Sequence, residues 1–287
     1  MNNYFTTFKI NHHIYQIKDA MGVLTTLIIG KEKALLIDTG YGLYNLKKYI
    51  SNITTLPLIV VASHGHMDHT GGNYLFEQVY IDEKDINLCK KHNNKVWRQN
   101  EIDTALNLNL IDHTFDKENF LKQKEGNLIP LKPNQEFDLG SILVLTIPME
   151  GHTKGSVGFY IKEEKILVVS DATCPFVWLF LEESTTVSTY INMLERIIKL
   201  DFNSILLGHG KGCLLPKSKV YDFLEVAKNI DLNSSVKVSF KNFENSNSYC
   251  YTKGMMYNQD DTGVVFDPNK FCLLYTSPSP RDVEESR

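Results

Sequence analysis

The sequence has few cysteines, and their arrangement excludes a fold held together by disulfides. Its 287 residues include five cysteines, an odd number, and none of them stands in a Cys-x-x-Cys pair. Disulfides persist only under oxidising conditions, so scattered cysteines without such spacing are typical of a reducing compartment. We therefore expect free thiols and a cytoplasmic location.

Long apolar runs, a secretion signal and an excess of positive charge are missing as well. No run approaches the roughly 20 apolar residues that a membrane helix needs, and the N-terminal residues lack a basic segment followed by an apolar one. The 30 Lys and Arg are outnumbered by 34 Asp and Glu, which gives a formal net charge of −4. From these absences we expect no membrane anchor and no nucleic-acid partner. A small-molecule substrate is the expected partner, and the oligomeric state is left open.

Short apolar runs separated by glycine and polar residues predict an α/β fold. Alternation and β-branched residues indicate strands at residues 13–17, 23–29, 34–37, 58–62, 79–81, 128–131, 136–139, 142–147, 157–161, 165–170 and 204–207. Helical spacing indicates helices at residues 43–50, 187–200 and 218–230, and a further helix beginning near Gly71. We expect residues 1–271 to form a single domain that ends in a small set of strands over residues 236–271.

Two segments stand apart from this pattern. Residues 83–126 are polar, helix-compatible and rich in Asn and Lys, with an apolar stripe. They are interpreted as a helical insertion near the site, either a lid or a plain surface helix pair. Residues 272–287 resemble a translated sequencing-library adapter. They are expected to be a non-native tail with little order, the alternative being a short tail rich in Pro and Ser.

The strongest pattern for function is a run of polar side chains directly after an apolar strand. Three imidazoles and one carboxylate fall within six positions, at His64, His66, Asp68 and His69, after the apolar residues 58–62. Imidazole and carboxylate together are ligands for a borderline divalent cation, above all zinc. The loop is therefore predicted to hold metal, and the same ligand types also permit iron or manganese.

Three more polar residues lie far downstream, at the ends of other strand-like runs. His152, Asp171 and His209 each follow an apolar run, with glycines close by. Loops at strand ends are held by a rigid scaffold and stay open to a substrate. Each of the three alone is more typical of a surface residue or a strand-end cap. Together with the loop at residues 64–69, they predict a metal site.

The whole constellation, from Asp-Thr-Gly at residues 38–40 to Gly-His-Gly at residues 208–210, resembles the metallo-β-lactamase-fold hydrolase superfamily. The resemblance implies a four-layer αββα sandwich of two mixed β-sheets, with helices outside and metals at one edge. It also implies two divalent metal ions shared among seven ligands: a first ion on His64, His66 and His152, a second on Asp68, His69 and His209, and Asp171 bridging both.

The resemblance implies a metal-dependent hydrolase. A metal-bridging hydroxide would attack an ester, thioester, lactone, amide or phosphoester, and Asp68 or Asp171 would relay a proton to the leaving group. The ligand set is similar to that of glyoxalase II enzymes, whereas true β-lactamases lack an aspartate at the bridging position. The alternative is a mononuclear iron persulfide dioxygenase that uses the same ligands on the same fold. A third interpretation is a binding protein without catalytic activity, in which the metal only stabilises the fold.

Several other residues have two interpretations. Asp38 is either a carboxylate that orients a ligating histidine or a turn former in Asp-Thr-Gly. The aromatic stretch of residues 174–180 is either a wall that faces the substrate or ordinary core. Four further histidines have no partner pattern and are expected to be solvated or structural: His12, His13, His92 and His113.

Overall fold

The computed structural model describes residues 4–112, 114–132, 134–210, 214–241, 243–256 and 261–270. His113 and the tail at residues 272–287 lie outside the described residues, so the predictions for them stay predictions.

Strands β1 to β17 are, in chain order, Phe5–Lys9, Ile14–Asp19, Leu24–Ile29, Ala34–Ile37, Leu58–Val61, Val79–Ile81, Leu128–Pro130, Glu136–Asp138, Leu143–Pro148, Val157–Ile161, Ile166–Ser170, Phe176–Leu179, Ser204–Leu207, Leu214–Pro216, Val236–Lys237, Tyr249–Lys253 and Thr262–Phe266. Helices α1 to α7 are Leu46–Ile50, Met67–Thr70, Glu83–His92, Lys95–Asn107, Lys117–Lys122, Val187–Ile197 and Ser218–Lys228. None of these helices is both long and apolar enough to cross a membrane.

Two mixed sheets form the centre of the fold. The first has the order β1-β2-β3-β4-β5-β6-β7, antiparallel as far as β4 and parallel from β4 onward. The second has the order β14-β13-β11-β10-β9-β8, with the β11–β13 pair parallel and the other pairs antiparallel. Parallel neighbours need crossover connections, which bring helices onto the outer faces of both sheets.

The two sheets pack face to face, with helices outside. Ile14 and Leu35 of the first sheet meet Phe159 and Val168 of the second in one buried cluster. Helices α1 and α3 cover the outer face of the first sheet, and α6 and α7 cover that of the second. The predicted αββα sandwich is therefore confirmed. Strands β10 and β11 are buried on both faces, which is why their sequences are continuous apolar runs.

A third sheet, with the order β12-β17-β16-β15, goes beyond the two that were expected. Strands β15 to β17 lie in the predicted C-terminal strand region, and β17 pairs in parallel with β12. β12 belongs to the aromatic stretch of residues 174–180. Phe176, Leu179 and Phe180 are buried there, whereas Trp178 is half-buried, so this stretch is mostly core.

Strand β1 and the helix near Gly71 differ from the expected elements. Strand β1 was not expected because its residues, Phe-Thr-Thr-Phe-Lys, alternate weakly and lie half-buried at the edge of the first sheet. In place of one helix that begins near Gly71, α2 ends at Thr70 and a single 3-10 turn follows at Asn73–Leu75. A Cβ on Gly71 would lie 2.7 Å from the carbonyl carbon of Tyr41. This glycine therefore allows a close approach of two segments of the chain, and the helical turn expected here begins two residues later.

Residues 83–126 contain α3, α4 and α5. Ile102 and Ala105 of α4 pack in one cluster with Met67, the first residue of α2. The buried Arg98 donates to the carbonyl oxygen of Gly71 at 3.1 Å and to Asn93 Oδ1 at 2.8 Å. These contacts hold α4 against α2 and the residues that directly follow it.

Candidate metal centre

The candidate site lies where strands of the two large sheets end at one edge of the sandwich. In the first sheet, β4 leads into Asp38, and β5 leads through residues 62–66 into the short helix α2, which carries Asp68 and His69. In the second sheet, β9 is followed by His152, β11 by Asp171 and β13 by His209. β4 and β5 are parallel neighbours, as are β11 and β13, so their carboxyl ends meet at the same edge. Residues far apart along the chain are thereby brought together.

Three histidines form a first group. His64 Nε2 lies 3.1 Å from His66 Nδ1, and His152 Nε2 lies 3.0 Å from the same nitrogen. All three side chains are buried. Ligands 2.0–2.1 Å from a tetrahedral zinc ion lie about 3.3 Å from one another. The spacing of these three nitrogens therefore suits one small cation.

Two carboxylates and two histidines form a second group beside the first. His209 Nε2 lies 3.2 Å from Asp68 Oδ2, from Asp171 Oδ2 and from His69 Nε2. His69 Nε2 lies 3.4 Å from Asp68 Oδ2 and 3.5 Å from Asp171 Oδ2. The ring centroid of His69 is 4.3 Å from that of His64, so the two groups are neighbours. The structure thus brings all seven predicted ligand residues together in two clusters.

His152 and His66 each make a hydrogen bond to a group outside the trio, and these bonds show where the ring lone pairs point. His152 Nδ1 lies 2.9 Å from the carbonyl oxygen of Trp178, and His66 Nε2 lies 2.6 Å from Glu183 Oε1. Carbonyl and carboxylate oxygens accept, so the ring nitrogens that face them carry the protons. The lone pairs of His152 Nε2 and His66 Nδ1 therefore face each other, an arrangement that a cation between them stabilises. This donor set fits a divalent metal ion.

Two further histidines of the ligand set, His64 and His69, are oriented through Asp38. Asp38 Oδ2 accepts from Ser63 Oγ at 2.8 Å, which leaves that hydroxyl to accept from His64 Nδ1 at 3.0 Å. Asp38 Oδ2 also accepts from His69 Nδ1 at 2.9 Å. His64 and His69 thus both direct Nε2 inward. Metal-binding histidines usually donate the other ring N–H to such a partner, so Asp38 has the geometry of an orienting carboxylate.

The electrostatics of the two groups differ. Burial lowers the pKa of His152 to about 4, and burial together with the nearby His69 holds the pKa of His64 well below its usual value. Burial disfavours the ionised forms of Asp68 and Asp171, but the neighbouring histidines outweigh it and hold both pKa values well below the usual range. The first group therefore offers neutral imidazoles and the second offers ionised carboxylates, which are the forms that bind metal.

The second group attracts positive charge strongly. The carboxylates of Asp171 and Asp68, each 3.2 Å from His209 Nε2, raise the pKa of His209 to about 10. The same two carboxylates, with Asp38, outweigh burial at His69 and raise its pKa well above the usual value. A divalent cation at this point would meet the same attraction, which supports a second ion.

The prediction from sequence missed Asp85, which joins the two loops of the first group. This buried carboxylate on α3 accepts from Gly65 N at 2.8 Å, from Thr153 Oγ1 at 2.6 Å and from Gly155 N at 2.8 Å. It therefore clamps the loop of His66 to the loop of His152. An acidic residue on the core-facing side of α3, where Cys89 is also buried, was the available signal for it.

The prediction also missed Glu183 and the setting of His92. Glu183 lies in the segment after β12 and faces His66. His92 is buried and stacks on His66, with 5.0 Å between the ring centroids and 16° between the planes. His92 is therefore structural rather than solvated. His12 and His13 belong to neither group of ligands.

Comparison with known proteins identifies the family. The profile of the metallo-beta-lactamase superfamily matches residues 19–209, a span that includes every residue of both groups. The chain belongs to the metallo-beta-lactamase superfamily. Two solved structures of the superfamily fold, each with a TM-score of 0.56, are a metallo-beta-lactamase from Pontibacter korlensis and the sec-alkylsulfatase Pisa1 from Pseudomonas sp.. The first is 18% identical and covers 79% of this chain and 100% of its own; the second is 16% identical and covers 79% and 41%.

Curated relatives in the superfamily are hydrolases by name. Acyl-coenzyme A thioesterase MBLAC2 from Homo sapiens is 27% identical over 190 residues, which is 61% of this chain and 66% of the relative. The probable metallo-hydrolase YqgX from Bacillus subtilis (strain 168) is 26% identical over 148 residues, 50% of this chain and 63% of the relative. The chain thus spans just under two thirds of the length of these relatives.

Proposed function

We propose that the protein is a hydrolase that holds two divalent metal ions and cleaves a thioester. The observation that carries the proposal is the convergence of seven donor side chains into two adjacent groups at one edge of the sandwich. Zinc is the ion that imidazole and carboxylate donors favour, and iron and manganese suit the same donors.

The first ion would lie on the three histidines of the first group, and the second on Asp68, His69 and His209. Asp171 would bridge the two. Its carboxylate lies in the second group, and its negative charge also acts on His64 and His152 of the first. An anion between two cations offsets their repulsion, which supports this assignment.

The exposure of the second group indicates where a substrate would approach. The first group is buried, whereas the side chains of His209 and Asp68 in the second group are 42% and 24% exposed. Bound divalent cations supply a Lewis acid for a carbonyl oxygen and lower the pKa of water to about 7. The ionised carboxylate of Asp68, at the open side, is placed to take up the proton of the attacking water and carry it away from the reacting centre.

A thioester is the proposed substrate class for two reasons. The relatives named MBLAC2 are acyl-coenzyme A thioesterases, and the sequence similarity to them extends over 61% of this chain. A thiol has a pKa near 8.5, so a thiolate leaves readily near neutral pH and needs less help from a proton donor than an alkoxide does. A site whose acidic groups are ionised suits such a leaving group.

The experiment that tests the proposal combines metal analysis with a substrate panel. Protein purified aerobically and anaerobically is analysed for zinc, iron and manganese, then assayed on chromogenic thioesters, esters, lactones and phosphodiesters. We expect two metal equivalents per chain and the highest kcat/KM on thioesters. One iron per chain with oxygen uptake on a persulfide would favour the alternative, a mononuclear iron dioxygenase. Protein free of metal under every preparation would overturn the proposal.

Asp68→Asn is the variant that tests the proton relay. Loss of a positioned proton carrier costs about 100-fold or more in rate, so we expect at least that loss in kcat/KM on thioesters. The exposed α4 residue Asp103 gives a matched control, because Asp103→Asn changes the same charge at a residue that belongs to neither group. Metal content of both variants is measured alongside, to separate a lost proton relay from a lost ion. Unchanged turnover in Asp68→Asn would remove this residue from the mechanism.

A further inference from the structure

His66 is held differently from the other two histidines of the first group. It presents Nδ1 to the group, whereas His64 and His152 present Nε2. A histidine that binds metal through Nδ1 keeps its proton on Nε2, and the partner of that proton fixes the tautomer and the ring orientation. The partner here is Glu183 Oε1 at 2.6 Å, a short charge-assisted contact.

The outer partner of His66 is also the charged one of the set. His152 donates to a backbone carbonyl, and His64 faces a serine hydroxyl. A carboxylate holds the N–H more strongly than either of these neutral acceptors, since hydrogen bonds to ionised groups are roughly twice as strong. The orientation of the first group therefore depends most on this one acidic side chain.

The segment that carries Glu183 is itself fixed to the site. Ser184 Oγ donates to the carbonyl oxygen of His152 at 2.8 Å, and Thr185 N donates to the carbonyl oxygen of Gly151 at 2.9 Å. Lys270 Nζ donates to the carbonyl oxygen of Glu182 at 3.2 Å from the far end of the described chain. Glu183 is thus anchored beside the second loop of the same group that it supports.

The face of the His66 ring is supported as well. His92 stacks on it, and Trp97 stacks on the other side of His92 with 4.1 Å between centroids and 22° between planes. His66, His92 and Glu183 lie close enough together to resemble a third metal site. His66 could bind ions through both nitrogens only by losing its last ring proton, so we assign this trio to support of the first group.

We propose that Glu183 is a positioning residue that holds the proton of His66 on Nε2 and thereby sets the metal affinity of the first group. The inference rests on the proposed metal centre. It adds that one of the two ions is controlled by a side chain that touches neither ion nor substrate.

The test is a zinc titration of metal-free protein in competition with a chromogenic chelator. Glu183→Ala is expected to weaken one of the two zinc sites 10–100-fold and to leave the other within twofold, since such outer partners carry that much metal affinity. Glu183→Gln keeps an acceptor oxygen but loses the charge, so we expect a smaller loss of at least threefold. The neighbouring Glu182 is exposed and paired with Lys91, so Glu182→Ala is the matched control and should bind zinc as the wild type does.

A second measurement reports the tautomer directly. In zinc-loaded wild type, the Nε2 proton of His66 should give a slowly exchanging downfield proton resonance that Glu183→Ala removes and Glu182→Ala retains. If Glu183→Ala does not fold without metal, as judged by its melting transition, the isosteric Glu183→Gln decides the question.

The outcomes separate the inference from the proposed function. Wild-type protein that binds neither zinc nor iron nor manganese would overturn both. Two wild-type sites with unchanged affinity in both Glu183 variants would overturn the inference and leave the metal centre standing. Equal weakening of both sites, or the same loss in Glu182→Ala, would also overturn it, because the effect would then not be local to His66.

Discussion

At the scale of single residues, Asp38 shows how much the site depends on groups outside the ligand set. It accepts from the backbone N–H and the hydroxyl of Ser63, from Ser170 Oγ and from His69 Nδ1, at 2.7–2.9 Å. Its backbone has a φ of 68°, in the left-handed region, which costs about 1–3 kcal/mol for a residue other than glycine. Four hydrogen bonds to one buried carboxylate offset that strain and fix the orientation of His69.

Asp38→Asn tests this arrangement. An asparagine has one acceptor oxygen, so its amide N–H₂ would face a donor, and a buried unsatisfied donor costs about 1–3 kcal/mol. We expect that loss in the free energy of unfolding of the metal-free protein, measured in urea. The exposed Asp138 serves as the control, and Asp138→Asn should unfold within about 0.5 kcal/mol of the wild type. Equal stability of the two variants would contradict the structural account of Asp38.

The residues that could be predicted from the sequence are those whose spacing carries information. Asp68 and His69 follow His66 within three positions, and the other ligands follow apolar strands. Glu183 lies 117 positions from His66, in a segment without periodicity, so no local pattern connects the two. A contact of this kind is decided by tertiary packing, and the sequence alone leaves it open.

At the scale of elements, α3 is part of the site although it supplies no predicted ligand. Asp85 bonds two ligand loops at once, and glycines let those loops approach the helix. A Cβ on Gly155 would lie 2.6 Å from Asp85 Oδ1, and one on Gly65 would lie 2.9 Å from the backbone nitrogen of Cys89. Both glycines therefore leave room for α3 to pack directly on the loops.

Asp85→Asn tests the clamp. Asparagine has one acceptor oxygen for three donors, so we expect a loss of about 1–3 kcal/mol in stability and weaker zinc binding at the first group. Burial raises the pKa of Asp85 above its usual value, so the ionised carboxylate itself costs stability at neutral pH. The wild-type contribution of this group should therefore increase as the pH falls toward its raised pKa, and Asp85→Asn should lack that dependence. Parallel urea midpoints for the two proteins as the pH falls from neutral to about 4, near the ordinary pKa of an aspartate, would contradict it.

Elements were predictable where burial leaves a periodic pattern. β10 and β11 are buried throughout and were expected at nearly their observed bounds. β12 was not expected, since its aromatic residues fit a pocket wall as well as a strand. β12 forms as a strand by pairing with β17, more than 80 residues later, and such long-range pairing leaves no local periodicity.

At the scale of the whole molecule, the candidate metal centre links the two large sheets. Residues 63–69 follow a strand of the first sheet, and His152, Asp171 and His209 follow strands of the second. Each proposed ion would therefore bind residues from both sheets. Because such ions bind the folded chain and find no preformed site in the unfolded one, binding adds directly to the stability of the sandwich.

Removal of metal should accordingly lower the melting temperature of the protein. Zinc at 100 times its dissociation constant contributes about 2.7 kcal/mol per site, and 1 kcal/mol moves the transition of a large domain by about 2–4 °C. Two sites therefore predict a fall on the order of 10 °C after chelation, restored by zinc. Magnesium, which prefers oxygen donors, should not restore it at equal concentration. Identical transitions before and after chelation, with zinc shown to be removed, would mean that the ions do not join the sheets.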